Sequence, residues 1–212
     1  MNPCPCTRRT MIAGATAMAG LVAGRGLRAQ GGHGAAPVMT PEEALARLKE
    51  GNDLFMADRL PAREEHRERR LEIAKGQQPF AVLVGCSDSR VSPELLFGRG
   101  LGELFIVRNA GNTVDTAALG SIEYAVAELG VPLIVVLGHE RCGAVAAAVE
   151  VVQHNATFPG SVGNMIEPIV PAVLSAKASL ADPSDEALLD ASVYVPPAVG
   201  GTPDWSLCGH GR

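Results

Sequence analysis

Aromatic side chains are scarce in this sequence, making up 4% of its 212 residues, although 47% of the residues are hydrophobic. A sizeable core must therefore be built mainly from Ala, Val, Leu and Ile. Side chains of this kind favour a close-packed sheet covered by helices over a sandwich or a barrel. The length fits one domain, or one domain with a detachable end.

Positive charge is also in short supply, because 18 Lys and Arg face 23 Asp and Glu and give a formal net charge of −5. This balance argues against nucleic acid and anionic membranes as partners. A regular disulfide framework is lacking as well. The five cysteines are Cys4, Cys6, Cys86, Cys142 and Cys208.

The first 36 residues have the features of an export signal and a flexible linker rather than of a folded element. Arg8 and Arg9 lie in a segment that resembles a twin-arginine signal, and Met11–Ala23 is an apolar run of 13 residues. That run is too short to cross a membrane as a stable helix, so no stable membrane anchor is expected. Cleavage near Ala29 would give a periplasmic or secreted protein. A basic N-terminus that is not a signal is the alternative.

Two short apolar runs predict buried strands that end in metal-binding side chains. Phe80–Gly85 leads directly into Cys86, and Val131–Leu137 leads into a segment with His139 and Cys142. Such runs, alternating with helical segments, indicate a parallel sheet. Open α/β sheets bind ligands at the carboxyl ends of their strands. If the two strands are neighbours, these three side chains converge.

Two cysteines and one histidine form a ligand set that suits zinc. Sulfur and nitrogen are the usual donors to this metal, and three protein ligands with one open position form the catalytic arrangement. Cys142 is expected in the first turn of the next helix, where the helix N-terminus favours the thiolate. Taken singly, Cys86 would be an ordinary core residue. The His-x-x-Cys spacing, paired with a cysteine at a second strand end, predicts one zinc ion per chain.

The motifs around these residues resemble those of the β-class carbonic anhydrases. They comprise Cys86–Val91, Phe105–Asn112, Ser121–Val126 and Gly138–Gly143. The resemblance implies an α/β catalytic domain over residues 37–194, with a central, mostly parallel sheet flanked by helices. A strand order of 2-1-3 would create a switch point between the two strands that carry the ligands.

The resemblance also implies an activity, the reversible hydration of carbon dioxide to bicarbonate and a proton by a water that zinc activates. Asp88 would orient that water, and Arg90 would hold Asp88 in its ionised form. By motif position the substrate pocket would contain Gln77, Phe105, Ala110, Tyr124 and Gly143. Gln77, Phe105 and Tyr124 would come from a partner subunit, so a homodimer or larger homo-oligomer is expected.

Two other functions remain open. A zinc hydrolase of carbon disulfide or carbonyl sulfide would use the same ligands on the same scaffold. A zinc-stabilised structural module without turnover is the second alternative. The pair of Asp88 and Arg90 argues against the module, because a structural zinc site needs no open position.

The remaining elements are expected to be a further strand and several helices. The strand is predicted at Leu104–Arg108. One helix is predicted to start at Thr40 and Pro41, and further helices are predicted at 117–129, 143–152, 162–177 and 182–193. Residues 195–212 are rich in Gly and Pro and predict a divergent, disordered tail. The resemblance would lead one to expect a final strand there. A premature end and a divergent tail both remain open as explanations.

Overall fold

The computed structural model describes residues 39–60, 66–181 and 183–193, and the sheet within them is parallel and three-stranded. Its strands are β1 (Ala81–Gly85), β2 (Leu104–Arg108) and β3 (Ile134–Leu137), in the order β2-β1-β3. This order and the parallel pairing confirm the predicted α/β fold class. The predicted export signal and the whole of the predicted tail, residues 195–212, lie outside the described residues.

Helices cover the sheet and extend beyond its carboxyl edge. Within the described ranges they are α1 (Pro41–Met56), α2 (Arg67–Ile73), α3 (Pro93–Leu96), α4 (Thr116–Ala127), α5 (Gly143–His154), α6 (Ser161–Ile166), α7 (Val170–Ser179) and α8 (Asp185–Val193). Short 3-10 segments lie at Ala110–Asn112 and Glu167–Ile169. None of the helices that the structure describes is long and apolar enough to span a membrane.

The start of α1 follows directly from its sequence. Thr40 is the N-cap, its hydroxyl accepts from the Glu43 N–H at 3.2 Å, and the Glu43 carboxylate accepts from the Thr40 N–H at 2.8 Å. This reciprocal pair satisfies two backbone donors that the first turn would otherwise leave free. Ala44 and Leu48 are buried one turn apart and pack against the sheet. The predicted helix start is therefore confirmed.

β3 is shorter than the predicted strand at Val131–Leu137. Pro132 has no N–H to donate to a ladder, so regular pairing starts only after it. The Leu133 carbonyl accepts from the Val82 N–H at 2.8 Å, and the strand itself begins at Ile134.

β3 also differs from the expectation that both ligand-bearing strands are buried. All five residues of β1 are buried, whereas Ile134 and Val136 are 47% and 46% exposed. They pair with Val82 and Val84, so they lie on the sheet face that α4 covers over the other two strands. The cover does not reach β3, which forms an edge of the described sheet. A continuous apolar run therefore predicts a strand in both cases, but it does not distinguish the buried central strand from the half-covered edge strand.

The helix predicted at 117–129 is observed as α4, and its predicted apolar face is partly wrong. Ala125 is fully buried, but Val126 is 43% exposed. Adjacent helical residues project about 100° apart, and here the buried face is centred on Ala125, so Val126 lies at its exposed margin. Ile122 and Leu129 are only partly buried where they pack against the core.

Apart from the side chains packed on the two faces of the sheet, a cluster of apolar side chains lies beyond the carboxyl ends of the strands. It joins α5 to α7 and α8, and it includes Cys86 and Cys142. Val145, Val173 and Leu188 are buried at its centre. The helices predicted at 143–152, 162–177 and 182–193 thus form the apolar surroundings of the two sulfur atoms.

Candidate metal centre

Strand register brings the predicted ligands to one place. Gly85 pairs with Leu137, so Cys86 and Gly138 leave the sheet side by side, and His139 follows. Cys142 returns from the short loop after His139. It is the N-cap of α5, with extended backbone angles, rather than a residue of its first turn as the sequence predicted.

The three potential ligand atoms form a compact buried group. The sulfur atoms of Cys86 and Cys142 are 3.8 Å apart, and all three ligand atoms lie within 4.8 Å of one another. Both cysteines are free thiols, and the three residues are at most 7% exposed. Two sulfur atoms that each lie ~2.3 Å from a tetrahedral zinc ion would be separated by ~3.8 Å. The observed separation fits a shared metal ion.

The imidazole of His139 is oriented for metal binding. Its Nδ1 lies 2.9 Å from the Glu140 carbonyl oxygen, to which a protonated Nδ1 donates. That hydrogen bond leaves Nε2 as the unprotonated nitrogen. Nε2 is buried and has no hydrogen-bond partner among the residues that the structure describes. A buried polar atom without a partner is costly, and a cation at this point would satisfy it.

Backbone N–H groups surround the two sulfur atoms. The Gly111 N–H points at the Cys86 sulfur at 3.3 Å. Burial raises the pKa of the Cys142 thiol, while the N–H groups of Val145 and Ala144 in α5 act in the opposite direction. Without a cation the neutral thiol is favoured, whereas a bound cation and these N–H groups would together favour the thiolate.

Asp88 is held by Arg90 through both carboxylate oxygens. Arg90 Nε donates to Oδ1 at 2.9 Å, Nη2 donates to Oδ2 at 2.7 Å, and the Arg90 backbone N–H also donates to Oδ1 at 2.9 Å. These bonds hold the pKa of Asp88 well below its usual range and raise the pKa of Arg90. The carboxylate is therefore an acceptor and not a donor at neutral pH.

The Asp88 carboxylate lies beside the three-residue group without joining it. Its Oδ2 is 3.9 Å from the unpartnered Nε2 of His139. Arg90 also donates to the Arg141 carbonyl at 3.2 Å, which ties Asp88 to the loop between the other two ligands. The structure thus brings together all five predicted metal-binding and catalytic side chains.

The predicted pocket residues fall into two sets. Ala110 precedes Gly111, which contacts Cys86, and Gly143 follows Cys142, so both lie next to ligand residues. Phe105 pairs with Val82, four residues before the Cys86 position. At about 3.3 Å per residue, Phe105 is ~13 Å along the strand from the ligands of its own chain.

The aromatic pair is completed by Tyr124, whose ring centroid is 6.4 Å from that of Phe105. Tyr124 is 40% exposed, and Gln77 is exposed in the segment before β1, at the strand end opposite Cys86. The predicted pocket residues Gln77, Phe105 and Tyr124 are therefore not brought to this chain's own ligand group.

Sequence reasoning missed three residues at the end of β2 and in the segment that follows it. Arg108 donates from Nε to the Cys86 carbonyl at 2.7 Å and from Nη2 to the Asp88 carbonyl at 2.6 Å. Asn112 donates from Nδ2 to the Leu137 carbonyl at 2.6 Å. Gly111 has φ +67°, and a Cβ there would collide with the Ile169 side chain. These residues lie in a segment that matched the family motifs, which was the only available signal.

Comparison with known proteins agrees with this geometry. A family model described as carbonic anhydrase matches residues 81–195. Carbonic anhydrase 2 of Mycobacterium tuberculosis is 49% identical over 139 residues, which are 65% of this chain and 67% of that protein. A carbonic anhydrase of Mycolicibacterium smegmatis is 46% identical over 138 residues, with the same shares.

Solved structures are similar in fold as well. A tetrameric β-carbonic anhydrase from Sordaria macrospora matches with a TM-score of 0.53 and 26% identity, over 68% of this chain and 72% of that one. A β-carbonic anhydrase of Aspergillus fumigatus matches with a TM-score of 0.52 and 32% identity, over 71% of this chain and 69% of that one.

Proposed function

Because this chain belongs to the β-class carbonic anhydrase family, we propose that it catalyses the reversible hydration of carbon dioxide to bicarbonate and a proton. The proposal assigns one zinc ion per chain to Cys86, His139 and Cys142. The observation that carries it is the buried ligand group, with sulfur atoms 3.8 Å apart and an unpartnered Nε2 on His139. These features fit a tetrahedral metal ion with three protein ligands.

The roles of metal and protein can be separated. Zinc at this site would supply the Lewis acidity that makes water a nucleophile at neutral pH. Asp88, kept ionised by Arg90, accepts a hydrogen bond from that water and orients it towards the substrate carbon. The water oxygen would form one bond to the substrate carbon while one C=O π bond opens and leaves its electron pair on an oxygen of bicarbonate. One O–H bond of the water breaks, and its proton leaves to solvent.

The surroundings of the site suit a substrate without charge. Val145 and Ile166 are buried in the apolar cluster that contains both ligand sulfur atoms. Carbon dioxide gains little from charged partners, and an apolar wall with few polar atoms favours it over ions. The same environment would admit carbonyl sulfide, so the substrate must be tested directly.

We further propose a homodimer or larger homo-oligomer. Phe105 is ~13 Å along its strand from its own ligand group, and Tyr124 is 40% exposed beside it. These positions support a pocket whose aromatic residues come from a partner subunit. Sedimentation and hydration rates of the purified chain together test this proposal, because a monomer with full activity would contradict it.

The localisation is proposed from the first 36 residues, which carry Arg8 and Arg9. Export by a twin-arginine route would place the enzyme in the periplasm or outside the cell. Replacing both arginines with lysine preserves the charge but removes the pattern. Fractionation should then find the protein retained in the cytoplasm, and unchanged export would contradict the proposal.

The central experiment is stopped-flow measurement of carbon dioxide hydration with zinc content determined on the same sample. Hydration should be lost when zinc is removed and should return when zinc is added back. Release of sulfide from carbonyl sulfide and carbon disulfide should be slower than hydration at equal substrate concentration. A zinc-loaded protein that hydrates carbon dioxide no faster than buffer would overturn the proposed function.

A further inference from the structure

The loop that carries Cys86 and Asp88, residues 86–88, lacks regular secondary structure and is called the ligand loop below. Residues 86–88 follow the end of β1 and belong to neither a strand nor a helix. Their carbonyl groups therefore depend on partners outside a regular ladder. The position of one sulfur ligand and of the carboxylate beside the ligand group is set by how this loop is held.

Arg108 provides such partners from the neighbouring strand. It is the last residue of β2 and pairs with Gly85, which immediately precedes Cys86. Its Nε and Nη2 bond the carbonyls of Cys86 and Asp88 at 2.7 and 2.6 Å. A guanidinium presents donors in a rigid planar fork and is always charged, so it can hold two carbonyl groups at a fixed separation.

We propose that Arg108 is a positioning residue for the reaction, fixing Cys86 and Asp88 relative to each other through their peptide groups. The catalytic part of this inference rests on the proposed function, whereas control of the ligand loop does not. Arg90 acts differently, because it binds the Asp88 carboxylate from an exposed position. Arg108 is half-buried and holds the main chain.

The segment after Arg108 supports the same assignment. Gly111 donates its N–H to the Cys86 sulfur, and Asn112 donates to the Leu137 carbonyl, two residues before His139. One short segment therefore contacts both chain segments that lead to ligands. Sites held by side chains on rigid elements keep their geometry better than unsupported loops.

The test compares Arg108→Met and Arg108→Lys with the parent chain. Each protein is loaded with zinc for kinetics and with Co2+ for visible absorption, which reports the geometry of the metal and its sulfur ligands. Arg108→Met should bind the metal with altered Co2+ bands and lose about 10- to 100-fold in activity or metal affinity. The activity loss should fall mainly on kcat, because orientation and not substrate binding is changed. Arg108→Lys keeps the charge but lacks the planar fork of donors. Its Co2+ bands, activity and metal affinity should therefore lie between those of the parent and of Arg108→Met.

Arg47→Met is the matched control. Arg47 also makes a charged contact, with Glu103 at 2.6 Å, and lies over the Phe80 ring at 4.6 Å. It lies on α1, away from the ligand loop. Its loss should lower thermal stability while the Co2+ bands and kcat stay at the parent values.

Parent-like Co2+ bands and parent-like kcat in both Arg108 variants would overturn the inference. If Arg108→Met does not fold, Arg108→Lys decides alone, because unchanged bands and kcat in that variant would refute it. Bands that change in Arg47→Met as much as in Arg108→Met would also refute it. A parent chain that hydrates no carbon dioxide would sink the proposed function, but the Co2+ spectra would still decide whether Arg108 positions the ligand loop.

Discussion

Two groups of three potential metal-binding side chains occur in the part of the chain that the structure describes. One consists of Cys86, His139 and Cys142, and the other of Glu150, His154 and Asp185. In both groups the ligand atoms lie within 4.8 Å of one another, yet the first is buried and the second is exposed. Proximity of ligand atoms alone therefore does not distinguish them.

The two histidines make the difference clear. His139 Nε2 is buried without a hydrogen-bond partner, whereas His154 Nε2 lies 3.1 Å from Asp185. A buried atom without a partner gains much from a cation, while an exposed histidine already bonded to a carboxylate gains little. We therefore expect a metal centre in the first group and an ion pair joining α5 to α8 in the second.

The acidic group also borders a cavity of about 610 Å³, which is lined by Glu150, Asp185 and Glu186 among others. Glu140 and Arg141 also line this cavity, but Cys86, His139 and Cys142 do not. The cavity therefore gives no reason to place a metal there, whereas the unpartnered nitrogen and the sulfur separation support a metal centre at Cys86, His139 and Cys142.

The largest expected effect comes from Cys142→Ala. It removes a direct ligand, so zinc affinity should fall by more than the roughly 10- to 100-fold that loss of a ligand's hydrogen-bond partner costs. Thermal stability should fall too, because metal binding contributes to folding. His154→Ala, the matched change in the other group, should leave one zinc ion per chain. Full zinc content in dialysed Cys142→Ala would refute the ligand assignment.

A smaller effect is expected from Asp88→Asn. The amide keeps the shape but loses the charge that Arg90 stabilises, so water is oriented less well. Turnover should fall by about 10- to 100-fold while zinc content stays at one per chain. Asp185→Asn makes the same chemical change in the exposed group and should leave turnover unaltered. Equal carbon dioxide hydration by Asp88→Asn and the parent between pH 7 and 9 would remove Asp88 from the mechanism.

The smallest effect concerns the exposed pair. The hydrogen bond to Asp185 raises the pKa of His154 above 6.5. A raised folded-state pKa stabilises the protein at pH values below 6.5, and this contribution is lost as pH rises through the folded value. Asp185→Asn should therefore lower Tm slightly at about pH 5.5 and not at about pH 8.5. The effect is small because the two side chains are 54% and 52% exposed.

NMR titration of His154 provides the direct measurement for this pair. Its pKa should move towards 6.5 in Asp185→Asn, and by less in Glu150→Gln, because Asp185 makes the hydrogen bond. An unchanged His154 pKa in Asp185→Asn would show that the pair does not form in solution.

Sequence patterns predicted the strands and the three side chains that lie together in the candidate metal centre, and the family resemblance added the strand order. A β-branched run followed by Cys86, and another followed by His139 and Cys142, predicted two parallel strands with ligands at one edge. The register of Gly85 with Leu137 agrees with that prediction. Strand ends and ligand types are local properties, so they can be recognised without the fold.

Exposure and hydrogen-bond partners could not be predicted in the same way. Ile134 belongs to an apolar run like that of β1, yet it is 47% exposed because α4 covers only the neighbouring strands. Which face of a strand is covered depends on where a helix distant in sequence packs. The alternation of apolar and polar residues within the strand does not contain this information.

The sequence by itself determined that Cys86, His139 and Cys142 are candidate zinc ligands, because residue type and spacing indicate the chemistry without the fold. Only the tertiary structure decided that His139 Nε2 has no hydrogen-bond partner and that Arg108 bonds the ligand loop. Arg108 bonds the carbonyls of residues 22 and 20 positions earlier. Every residue has a carbonyl group, so such a partner leaves no signature in the sequence, and only the packing of β2 against β1 selects it.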